Sequence, residues 1–323
     1  MNIKIIGGGP TGAILSLLLA ESGCNVTLED KNDLENILKK ERAYALSQSS
    51  RKILLELGLW NLYKNDLHKF NSLIVLDQTI NKSIYFHKSD LPKELRHTKP
   101  IGWILDHRIL LDVLYKRIYN NKNINLKLKS ISNYRISEFD FIIAADGSES
   151  NAKKIFSINS IKFKYKQACI TAKVLIRGAK PSLAYEILRK QGPFAILPNG
   201  GDKYQIVWTD SIHNCIRLMD QPLASFLDEM ACFLPTGLQV DTLIDSRLCF
   251  PVGFSIASKF YYKNCILVGE SAHNFHPVGG QGLNLCFRDA LTLTRLIKLN
   301  QKIPFLKKFI PKIYFIVRIV DVY

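Results

Sequence analysis

The opening segment "NIKIIGGGPTGAILSLLLAESGCNVTLED" restricts this chain more than any other stretch. Residues 3–6 form a short apolar run that stops at glycine. The residues after Gly12 have helical character, with Gly23 as a C-terminal stop, and "NVTLED" reads as a second strand. This is a βαβ opening. Gly7, Gly9 and Gly12 satisfy G-x-G-x-x-G, and the acid Asp30 follows the last glycine at about the spacing of the dinucleotide-binding fingerprint. In such a unit the glycines permit a tight turn and close backbone approach, the helix N-terminus faces a pyrophosphate, and the acid accepts hydrogen bonds from a ribose.

The remaining pattern predicts a second, inserted unit. "ERAYALSQSSRKILLELGLW" predicts a helix capped by Ser47, carrying Ile53, Leu54 and Leu57 and closed by Gly58. "NSLIVLDQTINKSIYF" predicts a strand pair. "DHRILLDVLYKRIY" predicts an amphipathic helix with Asp106 as N-cap and Ile109, Val113 and Leu114 on its buried side. "FDFIIAADGSES" is a strand ending in Asp146-Gly147. From residue 160 the period changes: "IKFKYKQACITAKVLI" alternates, predicting a strand wet on one face. A hairpin turning at Asn199–Asp202 follows, then the helix "SFLDEMACFL" and the strand "RLCFPVGFSI". The fold class is therefore α/β, a Rossmann-like cofactor domain (1–70, 98–155 and 262–323) with an inserted antiparallel-sheet substrate domain (71–97 and 156–261).

The second informative stretch is "LVGESAHNFHPVGGQGLN", residues 267–284. A buried strand ends in Gly-acid, and a glycine-rich loop then feeds the helix "LCFRDALTLTRLIKL". The acid, Glu270, can hold a polyol hydroxyl, and the helix N-terminus offers backbone N–H groups to an electron-rich ring edge. One extended ligand uses both ends of the chain: FAD, with its adenosine and pyrophosphate on the N-terminal unit and its ribityl chain and flavin ring toward Glu270 and the later glycines. His273 and His276 stand three apart with no third ligand in view, so no metal site is expected.

Composition removes other classes. The formal charge of +16 comes from lysines spread along the chain, and no basic helix interleaved with aromatics is present, so a nucleic-acid partner is not expected. Seven scattered cysteines without a CxxC pair predict reduced thiols and a cytoplasmic chain. The N-terminus runs directly into a strand, and no apolar run approaches the ~18 residues of a membrane span. The apolar, basic tail "FLKKFIPKIYFIVRIVDVY" is expected to pack on the protein body, with peripheral contact at an inner membrane face as the alternative.

These residues together resemble FAD-dependent aromatic monooxygenases of the para-hydroxybenzoate hydroxylase type, in particular their ubiquinone-biosynthesis hydroxylase branch. The resemblance is carried by "IIGGGPTG", "RAYALS" with "LGLW", "AADGSES", "YKQACITAKV", "GPFAILP" with "VWT", and most specifically by "LVGESAHNFHPVGGQGLNLCFRDA". It implies a hydroxylase in which NAD(P)H reduces FAD and a flavin hydroperoxide formed with O2 attacks a lipid-soluble, prenylated phenol or quinol. It also implies association with other ubiquinone-biosynthesis proteins. By position, Gly7, Gly9, Gly12 and Asp30 would hold the adenosine half, and Arg42 would reach the phosphates or ribityl region. Arg108, Asp146 and Gly147 would belong to the same cofactor-binding set. Glu270 would face the ribityl chain, and Gly280, Gln281, Gly282, Leu283 and Asn284 the pyrimidine edge of the ring. Strands 192–209, with Pro198 and Trp208, would wall the substrate cavity or, for Trp208, pack the core.

Three features depart from the family pattern. Glu270, followed by Ser271, stands where the family has an Asp, one methylene shorter. The stretch before "FIIAADG" is short, implying loss of a strand pair. The chain stops soon after Leu299, without the long helical section such hydroxylases carry. A shortened, weakly active or inactive relative, serving as an FAD-binding assembly partner, is therefore the second reading.

Overall fold

The computed structural model describes residues 1–40, 42–96, 100–130, 134–135 and 137–322. In chain order the strands are β1 (Asn2–Ile6), β2 (Asn25–Glu29), β3 (Ala43–Leu46), β4 (His68–Phe70), β5 (Ser72–Asp77), β6 (Lys82–His87), β7 (Gly102–Asp106), β8 (Ile124–Lys127), β9 (Phe141–Ala144), β10 (Ser160–Arg177), β11 (Leu183–Leu188), β12 (Phe194–Pro198), β13 (Lys203–Ser211), β14 (Gln239–Leu243), β15 (Leu248–Ala257), β16 (Tyr261–Tyr262), β17 (Cys265–Leu267) and β18 (His273–Asn274). The helices are α1 (Pro10–Glu21), α2 (Leu34–Leu38), α3 (Gln48–Glu56), α4 (Lys93–Arg96), α5 (His107–Tyr119), α6 (Asn151–Ile155), α7 (Ile212–Asp220), α8 (Leu223–Ala231), α9 (Gly282–Lys302) and α10 (Ile310–Val322).

A six-stranded sheet runs β16-β17-β9-β1-β2-β8, parallel from β17 to β8. Its central strands β1, β9 and β17 are buried on both faces, as the apolar run Phe141–Ala144 requires, and the one charge inside β1, Lys4, is paired with Glu29 of β2 at 2.9 Å. Helix α1 is buried nearly all round, because it lies between α5 and α9. The nine-stranded sheet runs β18-β15-β10-β13-β12-β11-β5-β6, with β14 beside β10. It is antiparallel except where β11 meets β5. A small sheet, β3-β7-β4, lies against it: Phe70 and Ile104 pack with Ala184, Leu73 and Leu197. The chain is thus a mixed α/β protein with both sheet types.

We propose the division into segments 71–97 and 156–261 against the remainder on sheet membership. Strand β18, which follows Glu270, crosses it by pairing with β15. The boundary at 97/98 lies outside the described residues, as does part of the 120–140 stretch where a strand pair was expected to be missing.

Several local expectations change in the structure. Asp106 stands at the N-cap of α5 but makes no capping bond, because its carboxylate pairs with the Lys173 ammonium of β10 at 3.0 Å. The buried side of α5 is Leu110, Leu111, Leu114, Tyr115 and Ile118, while Ile109 and Val113 are half-buried. Strand β10 is not wet on one face along its length. Ile161 and Phe163 are about 60% exposed, whereas Cys169–Ala172 are buried on both faces, since covering elements reach only its second half. Helix α7 was not anticipated; its signal is Ser211, which caps Asn214 N–H, followed by Cys215 and Leu218 at helical spacing. Helix α10 packs on the body through Ile310, Tyr314 and Arg318.

Candidate cofactor site

The glycine turn is built by close approaches that no side chain would permit. Gly7 has φ +111°, and a Cβ on it would lie 2.2 Å from the Ala145 carbonyl oxygen; on Gly12 it would lie 1.8 Å from the Gly7 carbonyl oxygen. These glycines let β1, β9 and α1 meet. Gly9 differs: a Cβ there would have no atom within 4 Å, so the space before the first turn of α1 is open. Gly9 makes no side-chain cap and Pro10 has no N–H, which leaves the Thr11 and Gly12 amides without helical partners. An open space facing free amides and a positive helix end fits a pyrophosphate. Asp30 closes the turn, accepting the Gly8 N–H at 2.6 Å and the Asn32 N–H at 2.8 Å, and each carboxylate oxygen keeps a further lone pair. Asp146, at the end of β9, accepts from Tyr134 Oη and the Asn151 amide through Oδ2, while its Oδ1 is buried without a protein partner.

A second group joins this turn to the 270 region. Lys40 is influenced by burial and by Arg42, which lower its pKa, and by Glu270 and Asp30, which oppose that shift. Arg42 therefore lies in a line of charge from the end of β2 to the Glu270 turn. Its Nε donates to Tyr44 Oη at 2.9 Å, and its guanidinium lies over the Tyr44 ring. Tyr44 Oη contacts His107 Nδ1 at 2.8 Å, and His107 Nε2 contacts the Ile37 carbonyl at 2.8 Å. A carbonyl only accepts, so Nε2 carries the proton and Nδ1 accepts from Tyr44. Burial pushes His107 down to about 4, and Tyr44 up to about 12. Sequence reading missed Lys40, Tyr44 and His107; "RAYALS" carries the first hint, since its Tyr44 stands two residues from Arg42 on one strand face. Arg108, next to His107, is exposed on the first turn of α5.

This network predicts a pH dependence. The folded state holds His107 neutral to about 4, whereas the unfolded chain protonates near 6.5, so stability is complete above 6.5 and falls as pH drops toward 4. Over that window wild type should lose about 3 kcal/mol more than His107→Leu in urea melts. Parallel titration of the two proteins would exclude the neutral-acceptor assignment.

The 267–284 stretch meets the glycine turn directly. Gly269 has φ +67°, and a Cβ there would lie 3.0 Å from Thr11 Cγ2 of α1 and 3.1 Å from Cys286 Sγ of α9. Glu270 is exposed beside it. The turn is held from behind by Asp289, which is fully buried and accepts from the Gly269 amide at 2.9 Å, His273 Nε2 at 2.7 Å and Arg318 Nε at 2.5 Å. Burial opposes its charge, but His273 and Arg318 hold its carboxyl below the ordinary range. His273 is thus a structural partner of the turn. Gly279 and Gly280 both have positive φ, and a Cβ on Gly280 would lie 3.0 Å from Ala45 of β3. Asn284 is buried and fully engaged: Oδ1 accepts from the Ser47 amide and Ser50 Oγ, and Nδ2 donates to the carbonyls of Ala45 and Gly280. Its side chain fixes the loop, leaving the backbone amides of Gly282, Leu283 and Asn284 free at the start of α9. Gln281 is exposed and bonded to the Gly279 carbonyl.

The structure therefore brings Gly7, Gly9, Gly12, Asp30, Arg42, Asp146 and Glu270 to one side of the parallel sheet. The Gly280–Asn284 segment lies against β3. Trp208 does not face them. It is fully buried on the other face of the nine-stranded sheet, packed edge-on against Phe194 and near Phe226 and Phe233. Among the described residues no group of three or more His, Cys, Asp or Glu could hold a metal ion, and no helix is long and apolar enough to cross a membrane.

A βαβ nucleotide turn, a second Gly-acid turn against it and a large antiparallel sheet beside both define an FAD-dependent monooxygenase fold. A family model described as "FAD binding domain" matches residues 1–97 and 129–301, and the chain belongs to that family. It is 29% identical over 316 residues to an uncharacterized protein of Synechocystis, covering 92% of this chain and 75% of that one. It is 24% identical to the ubiquinone hydroxylase UbiL of Rhodospirillum rubrum (94% and 73% covered) and 24% identical to the 3-demethoxyubiquinol 3-hydroxylase of Escherichia coli (89% and 77%). In three dimensions it is similar to Pseudomonas aeruginosa PqsL in complex with 2-aminobenzoylacetate, with TM-score 0.82, 17% identity and 99% and 93% of the two chains covered. The chain is an enzyme of this FAD-dependent class.

Proposed function

We propose that this chain hydroxylates a lipid-soluble phenol or quinol of ubiquinone biosynthesis, with FAD held between the glycine turn of α1 and the start of α9. The observation that supports the reading is Gly269, seated between Thr11 of α1 and Cys286 of α9, which brings the two distant sequence segments together. Bound FAD, reduced by NAD(P)H, supplies the oxygen-activating chemistry. The chain's own residues bind and shield. The Thr11 and Gly12 amides receive the pyrophosphate, and Asp30 offers spare lone pairs to a ribose. Arg42 and Glu270 would hold the ribityl region, and the Gly282–Asn284 amides would donate to the ring edge. The nine-stranded sheet excludes water from the reacting side.

The relatives' names support the substrate class, since two of them act in ubiquinone chemistry. Peripheral membrane contact belongs to the same proposal. Phe305 is 68% exposed in the same short segment as the exposed Lys307 and Lys308, a surface suited to an anionic lipid face. The test is aerobic turnover of the FAD-loaded chain with NADH or NADPH and a prenylated phenol under isotopic O2. The expected result is substrate-stimulated NAD(P)H oxidation with one labelled oxygen in the product. FAD retention without any product would support the assembly-partner reading instead.

A further inference from the structure

The nine-stranded sheet has two faces of different character. Register places Val75, Glu186, Ala195, Val207 and Thr171 in one row across β5, β11, β12, β13 and β10. The next row, Ile187, Phe194, Trp208 and Ile170, points the other way, into the aromatic core under α7 and α8. The Glu186 face is the one turned to the proposed flavin ring. Ala184, two residues along β11, packs with Phe70 and Ile104 beside Ala45, the residue against which Gly280 rests. Glu186 is 8% exposed, and the Gly279 amide, in the turn that leads into α9, favours its charged form.

A carboxyl is an expensive group to place there, because burial disfavours its charge and the neighbouring row residues Val75, Ala195 and Val207 offer no donor. No ion pair is made by Glu186 among the described residues; Asp77 of β5, an acid on the same face, is turned to the amide and hydroxyl of Thr79. Other polar atoms of this face, Thr171 Oγ1, Gln205 Oε1 and Thr209 Oγ1, are also buried without a protein partner. A buried acceptor with one backbone donor and no cation asks for a donor from elsewhere and repels an anion.

We propose that Glu186 selects the substrate: it accepts a hydrogen bond from the hydroxyl of a neutral phenol or quinol lying between the sheet and the flavin ring, and its charge rejects aromatic carboxylates. The inference rests on the flavin site proposed above. Burial raises Glu186 to about 7, with the Gly279 amide opposing the shift, so its selectivity changes within the physiological range.

Calorimetry on FAD-loaded protein tests it with a matched pair of probes, 4-methylphenol and 4-hydroxybenzoate. Wild type should prefer 4-methylphenol, and the preference should rise about fivefold or more between about pH 6 and about pH 8 as Glu186 ionises. In Glu186→Gln the preference should fall about tenfold and lose its pH course, because the amide neither repels the carboxylate nor titrates. A Gln variant that holds FAD and keeps both the preference and its pH course overturns the inference alone. A flat wild-type profile does the same without any variant. A wild type that takes up no FAD overturns the flavin reading as well, and is seen before either probe is added.

Discussion

Gly9→Val is expected to leave the apo fold intact and to abolish FAD retention. The position has ordinary extended backbone, φ −64° and ψ −178°, which a β-branched residue adopts without strain, and its Cβ would enter space free of protein atoms for 4 Å. Thermal stability of the apo protein should therefore stay within about 0.5 kcal/mol of wild type, as for a surface change. The valine occupies the space before the Thr11 and Gly12 amides, where the pyrophosphate belongs. FAD affinity should fall on the order of 100-fold or more, the equivalent of about 3 kcal/mol of overpacking. A thermal melt of the apo protein checks the first half of the claim, and flavin absorbance after gel filtration checks the second. Gly12→Ala is the contrast. Its Cβ would meet the Gly7 carbonyl at 1.8 Å, so that change should destabilise the apo protein itself by about 1–3 kcal/mol or more.

Asp289→Ala is the second large effect. Asp289 is the shared partner of the Gly269 amide, His273 and Arg318, and the Arg318 guanidinium it neutralises is only 3% exposed. Removing the carboxylate leaves that charge facing the interior with Asp321 as its remaining partner at 2.5 Å. The expected loss is about 3–5 kcal/mol in equilibrium unfolding, typical of breaking one side of a buried pair. The turn carrying Glu270 loses its backing at the same time, so FAD affinity should fall with stability. Arg318→Leu in the Asp289→Ala background should recover part of the stability, because it removes the stranded charge. A double variant no more stable than the single one would contradict this account of the cluster.

The contrast between these two sites shows what the sequence made legible. The glycine turn could be read directly, because G-x-G-x-x-G between a strand and a helix has one stereochemical use, and the Gly-acid turn before α9 repeats that logic. Asp289 and Arg318 carried no such signal; each is an ordinary helix residue until α9 and α10 are packed together. The same holds for His107 of α5, whose role depends on Tyr44 of β3, and for Asp106, which gives up its capping bond to Lys173 from the other sheet. Strand parity was readable, but which face meets the cofactor was not. Trp208 therefore belongs to the core, while Glu186, unmarked in sequence, faces the glycine loop. Local pattern names the elements that approach phosphate or ring edge; long-range packing decides which side chains they expose.

The account depends on one ligand reaching both the start of α1 and the start of α9. A crystal structure of the chain loaded with FAD tests this most directly. It should show the pyrophosphate on the Thr11 and Gly12 amides and the isoalloxazine ring edge on the Gly282–Asn284 amides of the same chain. FAD held at only one of those helix ends, or crystals that stay colourless in saturating FAD, would contradict it.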